Sequence, residues 1–319
     1  MNNPSLIIQR ITFIEISRNP VYYLVLGFAS FVIFLSQKLA LFSFHTELNM
    51  IRELGLSTIV LWGVLTCILF THQSVFSEIE NRSALTLLSK PVRRPSYVLG
   101  KYLGLARALL LGAAFLTLVL ILTLWIHEGI PKLDRAVLKS SSTCLHYHMD
   151  RPPLDALSGT VHSLGGSAYG ILVRDATTSH YEVWSYFTTR FLSSNVWPMV
   201  VGGLLSFFQV GIIASFSLGL ATFFPTVVVA SGTLAFYVVG HLSDFLIGAL
   251  RIEGALAYIV RQLVRCVLPN LEQFNPVDHL SRGESLPAIY VALAITYGIL
   301  YVSVILGITA FAFSRRELA

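Results

Sequence analysis

The stretch Phe76-Ser-Glu-Ile-Glu-Asn-Arg-Ser-Ala-Leu-Thr-Leu-Leu-Ser-Lys-Pro-Val-Arg-Arg-Pro-Ser-Tyr-Val-Leu-Gly-Lys101 decides how the chain is laid out. It is the most charged short segment of a very apolar sequence, and it lies between two apolar runs of membrane length. Glu78 and Glu80 open it, and Arg82, Lys90, Arg93, Arg94 and Lys101 follow, so its net charge is positive. Ala84, Leu85, Leu87 and Leu88 favour a helix over about Ser77–Ser89. Pro91 biases Lys90 out of the α region and ends that helix. Ser96 is placed to cap the next helix, with Pro95 keeping the two apart. The pattern is a short helix at the membrane surface, a hard turn, and a new spanning helix.

The composition agrees with a membrane setting. Of 319 residues, 55% are hydrophobic and 12% charged, against about 25% charged in soluble domains. The expected fold is an all-α integral membrane protein. Charge disappears for about 20 residues over Asn19–Gln37, Leu54–Ser77, Ala108–His127 (with its helix starting near Tyr97) and Ser285–Ser314. Phe191–Ser243 is too long for one crossing, and Ala221–Thr226 divides it, with Pro225 as the breaker. Six transmembrane helices follow. Residues 1–19 alternate Leu6, Ile7, Ile8, Ile11, Ile14 and Ile16 with polar residues, a pattern for an amphipathic helix lying in the interface.

Basic residues near the span ends set the orientation. With six crossings, Arg10 and Arg18, the 76–101 group, and Arg315 and Arg316 all fall on one side. That side is expected to be cytoplasmic, with both termini inside a plasma (inner) membrane. Arg251, Arg261, Arg265 and Arg282 then fall outside. A seventh span over 245–268 would bury three of them at about 2.5–3.5 kcal/mol each, so residues 245–287 are read as an amphipathic or re-entrant outer segment. Residues 128–195 form a small mixed extracytoplasmic insertion between helices 3 and 4. Tyr169–Val173 alternates like a strand there, and Tyr181, Trp184, Phe187 and Phe191 recur at helical spacing. The division is thus 1–127, 128–195 and 196–319.

A family resemblance rests on the same residues. Glu78-x-Glu80, Thr86-Leu-Leu-Ser-Lys-Pro-Val92 with Arg94, and Leu99-Gly100-Lys101 resemble the signature of ABC-2 type transporter permeases. Ala84-Leu85 departs mildly from the Gly-Thr-like pair expected after the acids. Leu268-Pro269-Asn270-Leu271-Glu272, the closing Ser314-Arg315-Arg316-Glu317-Leu318, and Glu15-Ile-x-Arg18-Asn-Pro20 are similar to the ends of the same permeases. The resemblance skips residues 128–195. It implies an exporter subunit that works as a homo- or heterodimer with a second permease chain, powered by a separate ABC ATPase subunit. It also implies an ATPase-coupling set of Glu78, Glu80, Arg82, Lys90, Pro91, Arg94, Gly100 and Lys101. The alternative is a membrane anchor or mechanotransmission subunit that recruits an extracytoplasmic partner through residues 128–195.

Catalytic chemistry is not expected in this chain. Gly100-Lys101 has no upstream glycine for a phosphate cradle and Tyr102 follows it, so ATP would be hydrolysed in the partner and no cofactor is expected here. No Ser/His/Asp set or acid pair suggests an enzyme. The basic residues are scattered over loops, which argues against nucleic acid and for lipid as a partner. His146-x-His148, Asp150 and His162 do not fix four ligands, and a solvated loop explains them more simply. His241 with Asp244, and His72 with Gln73, stand near span ends, where reaching water competes with a functional role. Cys67 reads as a small core residue, and a pairing of Cys144 with Cys266 is left open.

Overall fold

A computed structural model describes residues 4–40, 47–71, 94–128, 161–163, 169–171, 196–243, 245, 268–275 and 287–315. The chain divides into two compact units, Met1–Leu120 with Pro198–Ala319, and Ile121–Trp197. Apart from one short hairpin, the described elements are helical. They are α1 (Pro4–Arg18), α2 (Pro20–Ala40), α3 (Glu47–Thr71), α4 (Arg94–Glu128), α5 (Trp197–Ala221), α6 (Thr226–His241) and α7 (Ala288–Arg315). Five of them, α2, α3, α4, α5 and α7, are long and apolar enough to cross a membrane, and α6 is apolar but shorter at 16 residues. The chain is a multi-pass, helical membrane protein.

The punctuation follows local chemistry. Asn19 separates α1 from α2; its Oδ1 accepts the Val21 N–H at 2.9 Å, and Pro20 occupies the first turn, where no amide donor is needed. Pro225, extended at φ −70° and ψ 166°, stands at the start of α6, as the breaker in the long apolar run requires. At α4 the structure differs from expectation. The helix starts at Arg94, so Ser96 lies within its first turn instead of capping it. Pro95 is tolerated there, because the first-turn amides have no helical partner. The end expected for α3 at Ser77, and the short helix at 77–89, lie outside the described residues.

In the first unit α3 and α5 form the core, with 61% and 72% of their apolar windows buried, whereas α7 at 17% and α2 at 22% form the rim. Small residues set the contacts. Gly55 of α3 meets Leu120 and Trp62 meets Gly112, so α3 and α4 run antiparallel. Tyr102 donates to the Gly211 carbonyl at 3.3 Å and Thr117 covers Gly203, which sets α4 against α5 in the same way. Phe216 stacks on Phe236 at 4.0 Å and Leu220 meets Gly232, so α5 and α6 are antiparallel. Phe208 meets Gly298 and Gly219 meets Thr309, so α7 runs parallel to α5. Directions therefore alternate from α3 to α6.

Residues 268–275 add an irregular segment ending in a 3-10 turn at Glu272–Phe274. Leu271 donates its amide to the Gly240 carbonyl at 3.2 Å, and the Tyr297 hydroxyl accepts the Asn270 N–H at 3.2 Å. Phe274 is fully buried beside Gly298, ten residues inside α7, or about 15 Å from its start at 1.5 Å per residue. The segment thus enters the helical bundle to mid-height. In the second unit, Val161–Ser163 pairs antiparallel with Tyr169–Ile171, His162 standing opposite Gly170.

Candidate functional site

Of the expected coupling residues, Glu78, Glu80, Arg82, Lys90 and Pro91 lie outside the described residues. Arg94 begins α4, and Gly100 and Lys101 follow two turns later. Gly100 and Gly104, one helical turn apart, are where α1 crosses α4. A Cβ at Gly100 would fall 2.9 Å from the Ser5 carbonyl oxygen, and one at Gly104 would fall 2.6 Å from Thr12 Cβ. Glycine at both positions lets the two backbones touch, as small residues do at membrane helix crossings. The stripe continues along the same face. Ala108 offers its carbonyl to the Tyr22 hydroxyl at 2.9 Å, and Gly112 leaves room for Trp62.

Lys101 is the charged member of this junction. It is only 3% exposed, its ammonium is 4.0 Å from Glu15 Oε2 of α1, and it lies 5.8 Å from the centre of the Tyr97 ring. Arg107, further along α4, covers the Phe13 ring of α1 at 4.7 Å. Tyr97 itself is buried and stacks on Phe313 of α7 at 6.0 Å. The start of α4 is therefore fixed to both α1 and α7. A buried ammonium needs a countercharge, because its desolvation costs several kcal/mol. The Lys101–Glu15 pair consequently fixes the register of α1 along α4, a role that neither residue reveals alone.

A second polar feature lies within the bundle. A cavity of about 50 Å³ is bounded by Ser57 of α3, Ser206 and Gln209 of α5, Tyr237 and His241 of α6, and Asn275 after the 3-10 turn. Gln209, 2% exposed, has its Nε2 2.9 Å from His241 Nε2, while His241 Nδ1 is 3.0 Å from the Tyr237 carbonyl oxygen. A carbonyl only accepts, so Nδ1 carries the hydrogen. Nε2 of the neutral ring then accepts from the Gln209 amide. The His241 ring also packs edge-on against Tyr237 at 4.5 Å. His241 is the one of the two residues visible from sequence; Asp244 lies outside the described residues. Gln209 was missed, although a lone glutamine in the apolar run Trp197–Ala221 is itself a signal.

His162 lies on the hairpin, whereas His146, His148, Asp150, His72, Gln73, Cys144 and Cys266 lie outside the described residues. Cys67 is fully buried in α3, as a core residue. No family model and no curated protein matches the chain.

Proposed function

We propose that this chain is the membrane-spanning permease subunit of an ABC-2 type transporter, an exporter driven by a separate ATPase chain and paired with a second permease. In this reading its six crossings are α2 to α7, with α6 the short one; the alternating directions of α3 to α6 support that count, and the positive-inside bias of the basic clusters supports both termini being cytoplasmic. The observation that carries the reading is the junction at Gly100, Lys101 and Gly104. The segment 76–93 feeds directly into the start of α4, where α1 and α7 are attached. A push on that segment would be passed at once to three helices, as a lever driven by ATPase closure requires. Glu78 and Glu80 would meet basic residues of the ATPase, and Arg82, Arg93 and Arg94 its acids or lipid phosphates.

The test is affinity purification of the tagged chain in mild detergent, with identification of co-purifying chains. A nucleotide-binding ATPase recovered with it supports the proposal. A stable preparation that recruits only an extracytoplasmic protein through residues 128–195 would favour the anchor reading.

A further inference from the structure

Gly100, Gly104, Arg107, Leu111, Phe115 and Leu118 recur at the spacing of one helix face and so share one side of α4. Helix α1 covers this side at Gly100 and Gly104 and leaves it open beyond, where Leu111, Phe115 and Leu118 are each about half exposed or more. Arg107 stands at the change-over. It is the last charge before a stretch of α4 that carries none from Ala108 to Ile126. The span of α2 begins at the same height, because Tyr22 in its first turn donates its hydroxyl to the Ala108 carbonyl at 2.9 Å. The Arg107 guanidinium lies over the Phe13 ring of α1 at 4.7 Å, and Arg10 neighbours Phe13 on α1, three residues before it. Both arginines are exposed, and neither is paired with a carboxylate among the described residues. From Arg107 to Leu118 the helix rises by about 16 Å at 1.5 Å per residue. Half of a bilayer's hydrocarbon core is about 15 Å.

We propose that this face is a binding site for one anionic phospholipid, seated on α1 and lying along α4. Arg10 and Arg107 hold its phosphate, and an acyl chain runs along Leu111, Phe115 and Leu118. A guanidinium stacked on a ring keeps the N–H groups of its edge free, and that planar fork matches a phosphate. Two positive charges without protein countercharges favour a headgroup of net negative charge over a zwitterionic one. Water alone would account for an exposed Arg10. It does not account for large apolar side chains that start one turn beyond Arg107 and stay exposed for the depth of one leaflet. Another protein covering the face would have to desolvate both cations, which is costly unless it brings acids to meet them. The proposal rests on the chain crossing a membrane and not on the permease reading.

The experiment places a bimane fluorophore on Leu118→Cys, at the acyl-chain end of the site, in a background carrying Cys67→Ala, Cys144→Ser and Cys266→Ser. Leu300→Cys, exposed on α7, is the control position. The full chain is reconstituted into phosphatidylcholine vesicles, and quenching is read with a minor fraction of phosphatidylglycerol or phosphatidylcholine carrying a nitroxide on the acyl chain. At Leu118 the phosphatidylglycerol probe should associate at least about threefold more strongly than the phosphatidylcholine probe, because two arginines face its phosphate. At Leu300 the two probes should quench alike. Arg10→Gln and Arg107→Gln should each reduce the preference at Leu118, and Arg107→Lys, which keeps the charge but not the fork, should retain part of it. Unchanged quenching by the phosphatidylcholine probe in these variants separates a lost site from a lost fold. No preference at Leu118 beyond that at Leu300 would show ordinary lipid contact and overturn the proposal. So would a preference that both glutamine variants retain. Absence of quenching by either probe would mean that a second copy of the chain or another protein covers the face, and would overturn it as well.

Discussion

Lys101 of α4 is buried with its ammonium 4.0 Å from Glu15 of α1, whose side chain is 43% exposed. The two ends of this pair are therefore not equivalent. Glu15→Gln should destabilise the α1–α4 junction by about 1–3 kcal/mol, because a buried ammonium loses its countercharge. Lys101→Met removes the buried charge itself and should cost less. Thermal unfolding of the two variants in detergent checks the order. A larger loss for Lys101→Met would mean that other contacts of the lysine, such as the Tyr97 ring, outweigh its pairing with Glu15.

The crossing of α1 over α4 gives a steric prediction. Gly104→Val must displace Thr12 and the Gln9 carbonyl, since any Cβ there would meet both within 3 Å. Overpacking of this kind costs about 1–3 kcal/mol. Gly307→Ala is the control: nothing lies within 4 Å of its added Cβ, and alanine is favoured over glycine in a helix by roughly 0.5–1 kcal/mol. Protease sensitivity of the α1 segment should rise for Gly104→Val and stay at the wild-type level for Gly307→Ala.

Hydrogen bonding fixes one tautomer of His241. Selective ¹⁵N labelling of histidine, with the signal assigned by its loss in His241→Phe, should show the hydrogen on Nδ1 and an accepting Nε2 in the neutral ring. Gln209→Leu leaves that acceptor without its donor and should cost about 1–3 kcal/mol. A hydrogen on Nε2 in the wild type would mean that the Gln209 amide presents its oxygen, the opposite of the arrangement described above.

Much of this architecture was legible in the sequence, for identifiable reasons. Loss of charge over membrane length marks α2, α3, α4 and α7, and Pro225 marks the division between α5 and α6 within a few residues. The cost of burying Arg251, Arg261 and Arg265 is what argued against an ordinary span over 245–268, and nearly all of that stretch lies outside the described residues. Pairwise facts were not legible. Gly100, Gly104, Ala108 and Gly112 form a stripe at four-residue spacing, but only the partner helix turns that stripe into a junction. Gln209 and His241 are 32 residues apart, and hydropathy carries no information on which polar residues of two spans face each other. Ser96 was misplaced because a good capping residue does not fix where a helix starts when Arg94 and Pro95 fit its first turn equally well.

Topology is open to direct measurement. Ser142→Cys should react with an impermeant thiol reagent added to intact cells, and Asn3→Cys only after the membrane is inverted or opened. The reverse pattern would move the basic clusters to the outside and remove the 76–101 segment from reach of a cytoplasmic ATPase.

The most direct test of the account is the double charge reversal Glu78→Arg with Glu80→Arg. Both acids lie in a polar segment between spans, so reversing them should leave insertion and membrane abundance unchanged. At a docking surface the change replaces attraction by repulsion, and losing a close pair costs about 2–5 kcal/mol if docking buries it, or about 0–1 kcal/mol if water still reaches it. The account predicts reduced ATPase co-purification and loss of ATP-dependent function at wild-type abundance. Unchanged co-purification together with unchanged function would contradict it.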